Sequence, residues 1–267
     1  IIRNTPAGKD QDHLRVIIDS NPKAPDRTAA ILGKGASPLP PLVQGCRTLQ
    51  QAGADFIIMP CVSAHFYQEE MRQQITLPFV SILDVVAETI SHDHPEIKVV
   101  GLLGTTGTVR SGLFQKRLRE DGIETLVCED KIQERVMAAI YDIKSSQADR
   151  PREAITDDLV AAAQSLIFRG ALGIVAGCTE IPLALSQRDL SVPYFDVLLL
   201  LAVAAVVRLH VPLSRHARLG ADARRNLPAD AFPADHPRGD AEGGRLPGDR
   251  RRGLGADHFH LSVRRPG

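Results

Sequence analysis

The 267-residue sequence predicts an α/β fold of two pseudo-symmetric lobes with mainly parallel sheets and a cleft between them. Three observations carry that reading. Short β-branched or apolar runs alternate with helical stretches, the pattern of doubly wound sheets. Two segments echo each other, GADFIIMPCVSAH at 53–65 and GALGIVAGCTEIP at 170–182. In both, a Gly-Ala pair stands eight residues before a cysteine, a Ser or Thr follows it within two, and a Pro-aromatic pair (Pro78-Phe79, Pro193-Tyr194) comes later. Finally, SHDHPE at 91–96 interrupts the body between the two copies.

In chain order, strands are expected at His13–Ile18, Phe56–Met59, Phe79–Ile82, Lys98–Leu103, Glu124–Val127, Gly173–Ala176 and Tyr194–Phe195, each a β-branched or apolar run ending on small or polar residues. Helices are expected at Pro40–Ala52, Ala64–Gln74, Val85–Ser91, Val109–Asp121, Lys131–Ile143 and Arg152–Arg169. Within the fourth, Leu113, Phe114 and Leu118 share one face, with charges elsewhere. The first lobe is then residues 1–93, completed by the apolar stretch around 195–210, and the second is residues 94–194. Residues 211–267 are an Arg/Gly/Pro-rich tail without helical or strand periodicity, expected to be disordered.

Composition narrows the function classes. Net charge is zero and aromatic residues are few, so no global signal favours nucleic acid. The tail carries eleven Arg against seven acids, a net +4 that leaves −4 on residues 1–210. A basic nucleic-acid-binding arm is the alternative reading of that tail, and it predicts salt-sensitive affinity. Val197–Leu209 is the longest apolar run and falls short of the roughly 18 residues a membrane helix needs. Cys46, Cys61, Cys128 and Cys178 are widely spaced with no CxxC pair, which fits neither a zinc site nor a disulfide framework. A cytoplasmic protein with reduced thiols and no metal is expected.

In doubly wound sheets, ligands sit beyond the carboxyl ends of the strands. Cys61 and Cys178 both stand there, as do the Ser-Asn of IIDSNP and the threonines of GLLGTTGT. A cysteine at a helix N-terminus feels the positive end of the helix dipole, which lowers its pKa. Two thiols facing each other across a small ligand suit proton removal on one face and proton return on the other, inverting a stereocentre by general acid-base catalysis. His65 beside Cys61 and Glu180 beside Cys178 are placed to tune the thiols. The competing reading of both cysteines is buried packing. Cys46 and Cys128, without such motifs, are expected to be packing residues.

PCVSAH with GCTEIP resembles the aspartate/glutamate racemase family, whose usual forms are PCNTAH and GCTEIP. DQDHLRVIIDSNPKAPDRTAAILG and VGLLGTTGTVRSGLFQ are similar to further segments of that family, in the same order, so the resemblance spans about residues 5–205. It implies two Rossmann-like lobes, often a homodimer, and a cofactor-independent racemase acting on aspartate or glutamate through one catalytic cysteine per lobe, here Cys61 and Cys178. It also implies that Ser63 and Thr179 hold the substrate's α-carboxylate, with Thr105, Thr106 and Thr108 lining the same pocket. Arg27 would pair with a side-chain carboxylate, Asn21 would shape its loop, and Lys144 would bind substrate.

Three departures from the family pattern stand out. Val62 replaces the usual Asn. The family's first strand and glycine-rich loop (typically GGMGP) have no counterpart in the sequence, which predicts exposed sheet edges and an impaired site. The tail beyond about Leu209 has no family counterpart. A catalytically impaired amino-acid-binding homologue, or a related isomerase such as a hydantoin racemase or maleate isomerase, is the alternative function.

Overall fold

The computed structural model describes residues 1–145, 149–210 and 259–264. Its elements run β1 (Arg15–Ser20), α1 (Arg27–Ile31), α2 (Leu39–Gln51), β2 (Phe56–Ile58), a 3-10 stretch (Val62–Tyr67), α3 (Gln68–Arg72), β3 (Phe79–Val80), α4 (Ile82–Asp93), β4 (Val99–Gly104), α5 (Thr106–Ser111) and α6 (Leu113–Glu120). They continue with β5 (Glu124–Val127), α7 (Asp130–Lys144), α8 (Arg152–Phe168), β6 (Ile174–Gly177), β7 (Tyr194–Asp196), α9 (Val197–His210) and β8 (Phe259–Arg264).

Two four-stranded sheets form, ordered β1-β8-β2-β3 and β5-β4-β6-β7. The second is parallel throughout. In the first, β2 and β3 are parallel, with Ile57 opposite Phe79. The repeat is visible in the pairing: β6 meets β7 with Ile174 opposite Tyr194, so each cysteine-bearing strand pairs with the strand of its Pro-aromatic pair. Each strand ends short of its cysteine, which places Cys61 and Cys178 in the loops beyond the carboxyl edges.

Local chemistry explains the element ends. Asp26 caps α1 by accepting from Ala29 N at 2.6 Å, and Thr105 caps α5 by accepting from Thr108 N at 3.1 Å. Ser81 caps α4 through Asp84 N at 3.4 Å. Asp196 accepts from Leu198 N and Leu199 N at 2.9 and 3.0 Å at the start of α9. The predicted helix 109–121 is broken at Gly112, whose φ of 69° no β-carbon-bearing residue adopts readily. The predicted helix 64–74 opens instead as the 3-10 stretch, and α1 was not anticipated.

Leu200, Leu201 and Val206 of α9 are buried in one cluster with Val86 and Ile90 of α4 and Leu102 of β4, so this helix joins the core beneath both sheets. A helix apolar on every side is stable only when so enclosed. A separate cluster packs α7 and α8 on the second sheet and includes Cys178, and a third packs α2 on β2 and includes Cys61.

The tail differs from expectation at one place. Residues 211–258 and 265–267 lie outside the described residues, and with them the disordered-tail and nucleic-acid-arm readings, but 259–264 form β8. It runs antiparallel between β1 and β2, pairing Arg15 with Arg264 and Ser20 with Phe259 on one side, and Phe56 with Val263 on the other. The inner edges of β1 and β2 are therefore paired rather than exposed.

Candidate active site

Cys61 follows β2 and opens the 3-10 stretch. It is 9% exposed, and its Sγ lies 3.7 Å from Ser63 Oγ. His65 does not reach the sulfur. Its Nε2 accepts from Ile82 N at 3.1 Å, which leaves Nδ1 as the protonated nitrogen donating to Cys61 O at 3.0 Å. Burial pushes its pKa from 6.5 down to about 4, and Phe79 packs edge-on at 5.7 Å. His65 is thus a neutral tie between the Cys61 loop and the start of α4, and the expectation of an imidazole tuning the thiol is corrected.

Cys178 follows β6 and its thiol donates to Glu180 Oε2 at 2.8 Å. Thr179 Oγ1 donates to the same oxygen at 3.1 Å. All three residues are buried, Glu180 at 2% exposure. Lys144 Nζ, at the end of α7, lies 3.8 Å from Glu180 Oε1. Burial works against the Lys144 charge, but Glu180, Cys178 and Cys61 outweigh it and raise its pKa. One ammonium thus feels the charges of both cysteines, while its close contact is with Glu180. Burial first, and the Glu180 charge next, raise Cys178 well above the ordinary thiol range. The sequence argument for a dipole-lowered thiol fails here, because only a single 3-10 turn, Ile181–Leu183, follows Cys178.

A cavity of about 10 Å3 lies among Arg27, Ser63, Thr105, Tyr141 and Lys144, space for about one water molecule. It brings together residues from both sequence repeats' lobes. Arg27 is buried and donates Nη1 to Pro25 O at 3.0 Å. Two cationic side chains, Arg27 and Lys144, thus face one small space. At the rim Tyr141 is 45% exposed and stands near Asp26, and burial with the Asp26 charge raises its pKa. Tyr141, Asp26 and Thr28 were missed in the sequence, where only the Asp26 cap position could have drawn notice.

Other expected binders face elsewhere. Asn21 Oδ1 accepts from Lys23 N at 3.0 Å, a local turn. Thr108 Oγ1 lies 3.0 Å from Thr105 Oγ1 within the α5 cap, and Thr106 Oγ1 meets Gln133 Nε2 at 3.5 Å. Neither lines the cavity. Burial pushes Cys46 up to about 12 and Cys128 up to about 11, fitting packing thiols. A larger cavity of about 630 Å3, lined by His94, Tyr194, Phe195 and Asp196, lies where the chain crosses between the sheets; neither cavity is lined by a cysteine, and the smaller one reaches the Cys178 array through Lys144.

The sequence profile of the Asp/Glu/Hydantoin racemase family matches residues 1–207. The chain belongs to that family. It is accordingly an amino-acid racemase, an isomerase. It is 32% identical over 166 residues to the broad specificity amino-acid racemase RacX of Bacillus subtilis (strain 168), covering 62% of this chain and 69% of that protein. Among solved structures, the Picrophilus torridus aspartate racemase superposes with a TM-score of 0.67 at 26% identity, covering 78% of this chain and 84% of that one. An aspartate racemase homologue from Pyrococcus horikoshii OT3 superposes with a TM-score of 0.52 at 29% identity, covering 64% and 74%. No helix among the described residues of the racemase is long and apolar enough to cross a membrane.

Proposed function

We propose that this racemase interconverts the L and D forms of aspartate, or of glutamate, by two-base proton transfer between Cys61 and Cys178 without a cofactor. The observation that carries the reading is the Cys178–Glu180–Lys144 array beside a cavity that also holds Ser63 and Arg27. In one direction Cys61 acts as the base and Cys178, whose thiol donates to Glu180, acts as the acid. Cys61 takes the α-proton from one face, leaving a carbanion whose charge spreads into the α-carboxylate. Cys178 gives its proton to the opposite face and becomes the thiolate. Glu180 accepts a hydrogen bond from the thiol and holds its orientation, while Lys144 balances the charge. The reverse direction exchanges the roles.

Arg27 and Lys144 favour a dicarboxylate, since each carboxylate of aspartate or glutamate then finds a cation. Ser63, Thr179 and the Thr105 region supply hydroxyls for the α-carboxylate. The cavity as it stands does not admit an amino acid, so binding requires the Asp26–Tyr141 rim to part. Four free thiols fit a reducing compartment, and we place the enzyme in the cytoplasm, as a homodimer.

The test follows the α-proton of L-aspartate, L-glutamate and L-leucine by NMR in D2O, with Cys61→Ser and Cys178→Ser alongside. Signal loss for the dicarboxylates that either substitution abolishes supports the proposal. Equal exchange of leucine would contradict the substrate assignment. Binding without exchange by folded wild-type protein would favour the impaired homologue, for which Val62 in place of the family's Asn is the motivating feature.

A further inference from the structure

An ion cluster outside the cavity has no part in the mechanism above. Asp158, on the second turn of α8, is nearly enclosed, its side chain 11% exposed. Arg135 of α7 donates Nε to Asp158 Oδ1 at 2.9 Å. Arg150, just before α8, bonds Asp158 Oδ2 with Nη2 and Asp142 Oδ2 with Nη1, the latter at 2.9 Å. Asp142 lies two residues before Lys144, in the last turn of α7. The same end of α8 grips the chain beyond Glu180: Thr156 Oγ1 donates to Ala184 O at 3.0 Å, and Arg152 to Leu183 O.

We propose that Asp158 is a positioning residue for the second thiol: through Arg150 and Asp142 it fixes the end of α7 that carries Lys144, while α8 fixes the segment following Glu180. The inference deepens the reading of Cys178 as a catalytic thiol and rests on it. Physically, a helix end frays unless its last turn is tied, and a lysine on a loose turn spreads over many rotamers. Both members of the Lys144–Glu180 pair are referenced to one rigid element, so their 3.8 Å separation is set by α8 rather than by the two long side chains.

Glu180 and Lys144 are the charged groups facing Cys178, the first raising its pKa and the second lowering it. Loosening Lys144 therefore leaves Cys178 with less cationic compensation. The probe is iodoacetamide alkylation of the full chain against pH, read separately at Cys61 and Cys178 by peptide mass spectrometry. The midpoint follows the thiolate fraction, set by burial and neighbouring charge, whereas the rate also depends on reagent access. For Asp158→Asn we expect the Cys178 midpoint to rise by about one pH unit, a tenfold loss of thiolate at a given pH, with a smaller change at Cys61. Asp142→Asn, at a more exposed carboxylate, should do the same and serves if Asp158→Asn fails to fold. Arg117→Gln, which cuts an unrelated cluster with Asp84 and Asp121, should lower Tm and leave the midpoint unchanged.

In racemase assays the two Asp variants should lose kcat with KM nearly constant. An unshifted Cys178 midpoint in folded Asp158→Asn or Asp142→Asn would overturn the proposal, as would an equal shift in Arg117→Gln. Absence of racemase activity in the wild type would defeat the functional reading while leaving the alkylation result to decide this one.

Discussion

His65 offers the sharpest test of how the first thiol is held. Its ring is buried, neutral, and bonded at both nitrogens to backbone, to Cys61 O and Ile82 N. Burial takes its pKa from 6.5 to about 4. A base whose folded pKa is depressed contributes its full stabilisation above the unfolded value and loses it as pH falls towards the folded one. The gap, at about 1.4 kcal/mol per pH unit, amounts to roughly 3 kcal/mol. The perturbation is His65→Gln, which keeps an acceptor for Ile82 N and removes the titration. At neutral pH it should cost about 1–2 kcal/mol for imperfect hydrogen bonding. Urea unfolding followed by circular dichroism, stepped from neutral pH to about pH 4, then compares variant with wild type. Acid-labile carboxylates affect both proteins alike, so the stability difference should move by roughly 3 kcal/mol in favour of the variant across that window, changing sign before about pH 4. Parallel curves would show that His65 is not a buried neutral tie.

Further outcomes follow from the same contacts. Glu180→Gln removes the carboxylate charge that raises Cys178, so its alkylation midpoint should fall while kcat drops about 10²-fold or more; an unchanged midpoint in iodoacetamide titration would count against the Cys178–Glu180 contact. Gly107→Ala should destabilise by about 1–3 kcal/mol and raise KM, because a β-carbon there would stand 2.9 Å from Thr28 Cα and push α1, with Arg27, off α5; thermal melts and aspartate saturation curves check both. Lys144→Met should abolish the compensation at Cys178 and cut kcat at least tenfold, read in the same racemase assay.

Much of this architecture was written in local patterns. The strand runs ending before Cys61 and Cys178 stood out because a continuous apolar stretch meets a small polar one, and duplication made the pair conspicuous. The joint at Gly112 was hidden because Val109, Leu113 and Phe114 keep a helical period across it, and only the left-handed φ breaks the helix. β8 was passed over amid arginines and prolines, although Phe259, Leu261 and Val263 alternate with His260, Ser262 and Arg264. In the site, residues adjacent in sequence to a cysteine were legible, but not the direction their side chains take. His65 turns to backbone because Ile82 N offers a buried donor, and that donor belongs to a distant helix start. The Thr108 hydroxyl is drawn into the α5 cap. Tyr141 and Asp158 act through packing between helices, which no spacing rule in one segment records.

The two-thiol account is tested most directly by converting L-aspartate in D2O and sampling early, before equilibrium. Proton removal by one cysteine and return from the other predicts D-aspartate carrying deuterium at Cα, while the remaining L-aspartate still carries hydrogen. Product that keeps the original α-hydrogen, or deuterium entering L-aspartate before D-aspartate forms, would contradict it.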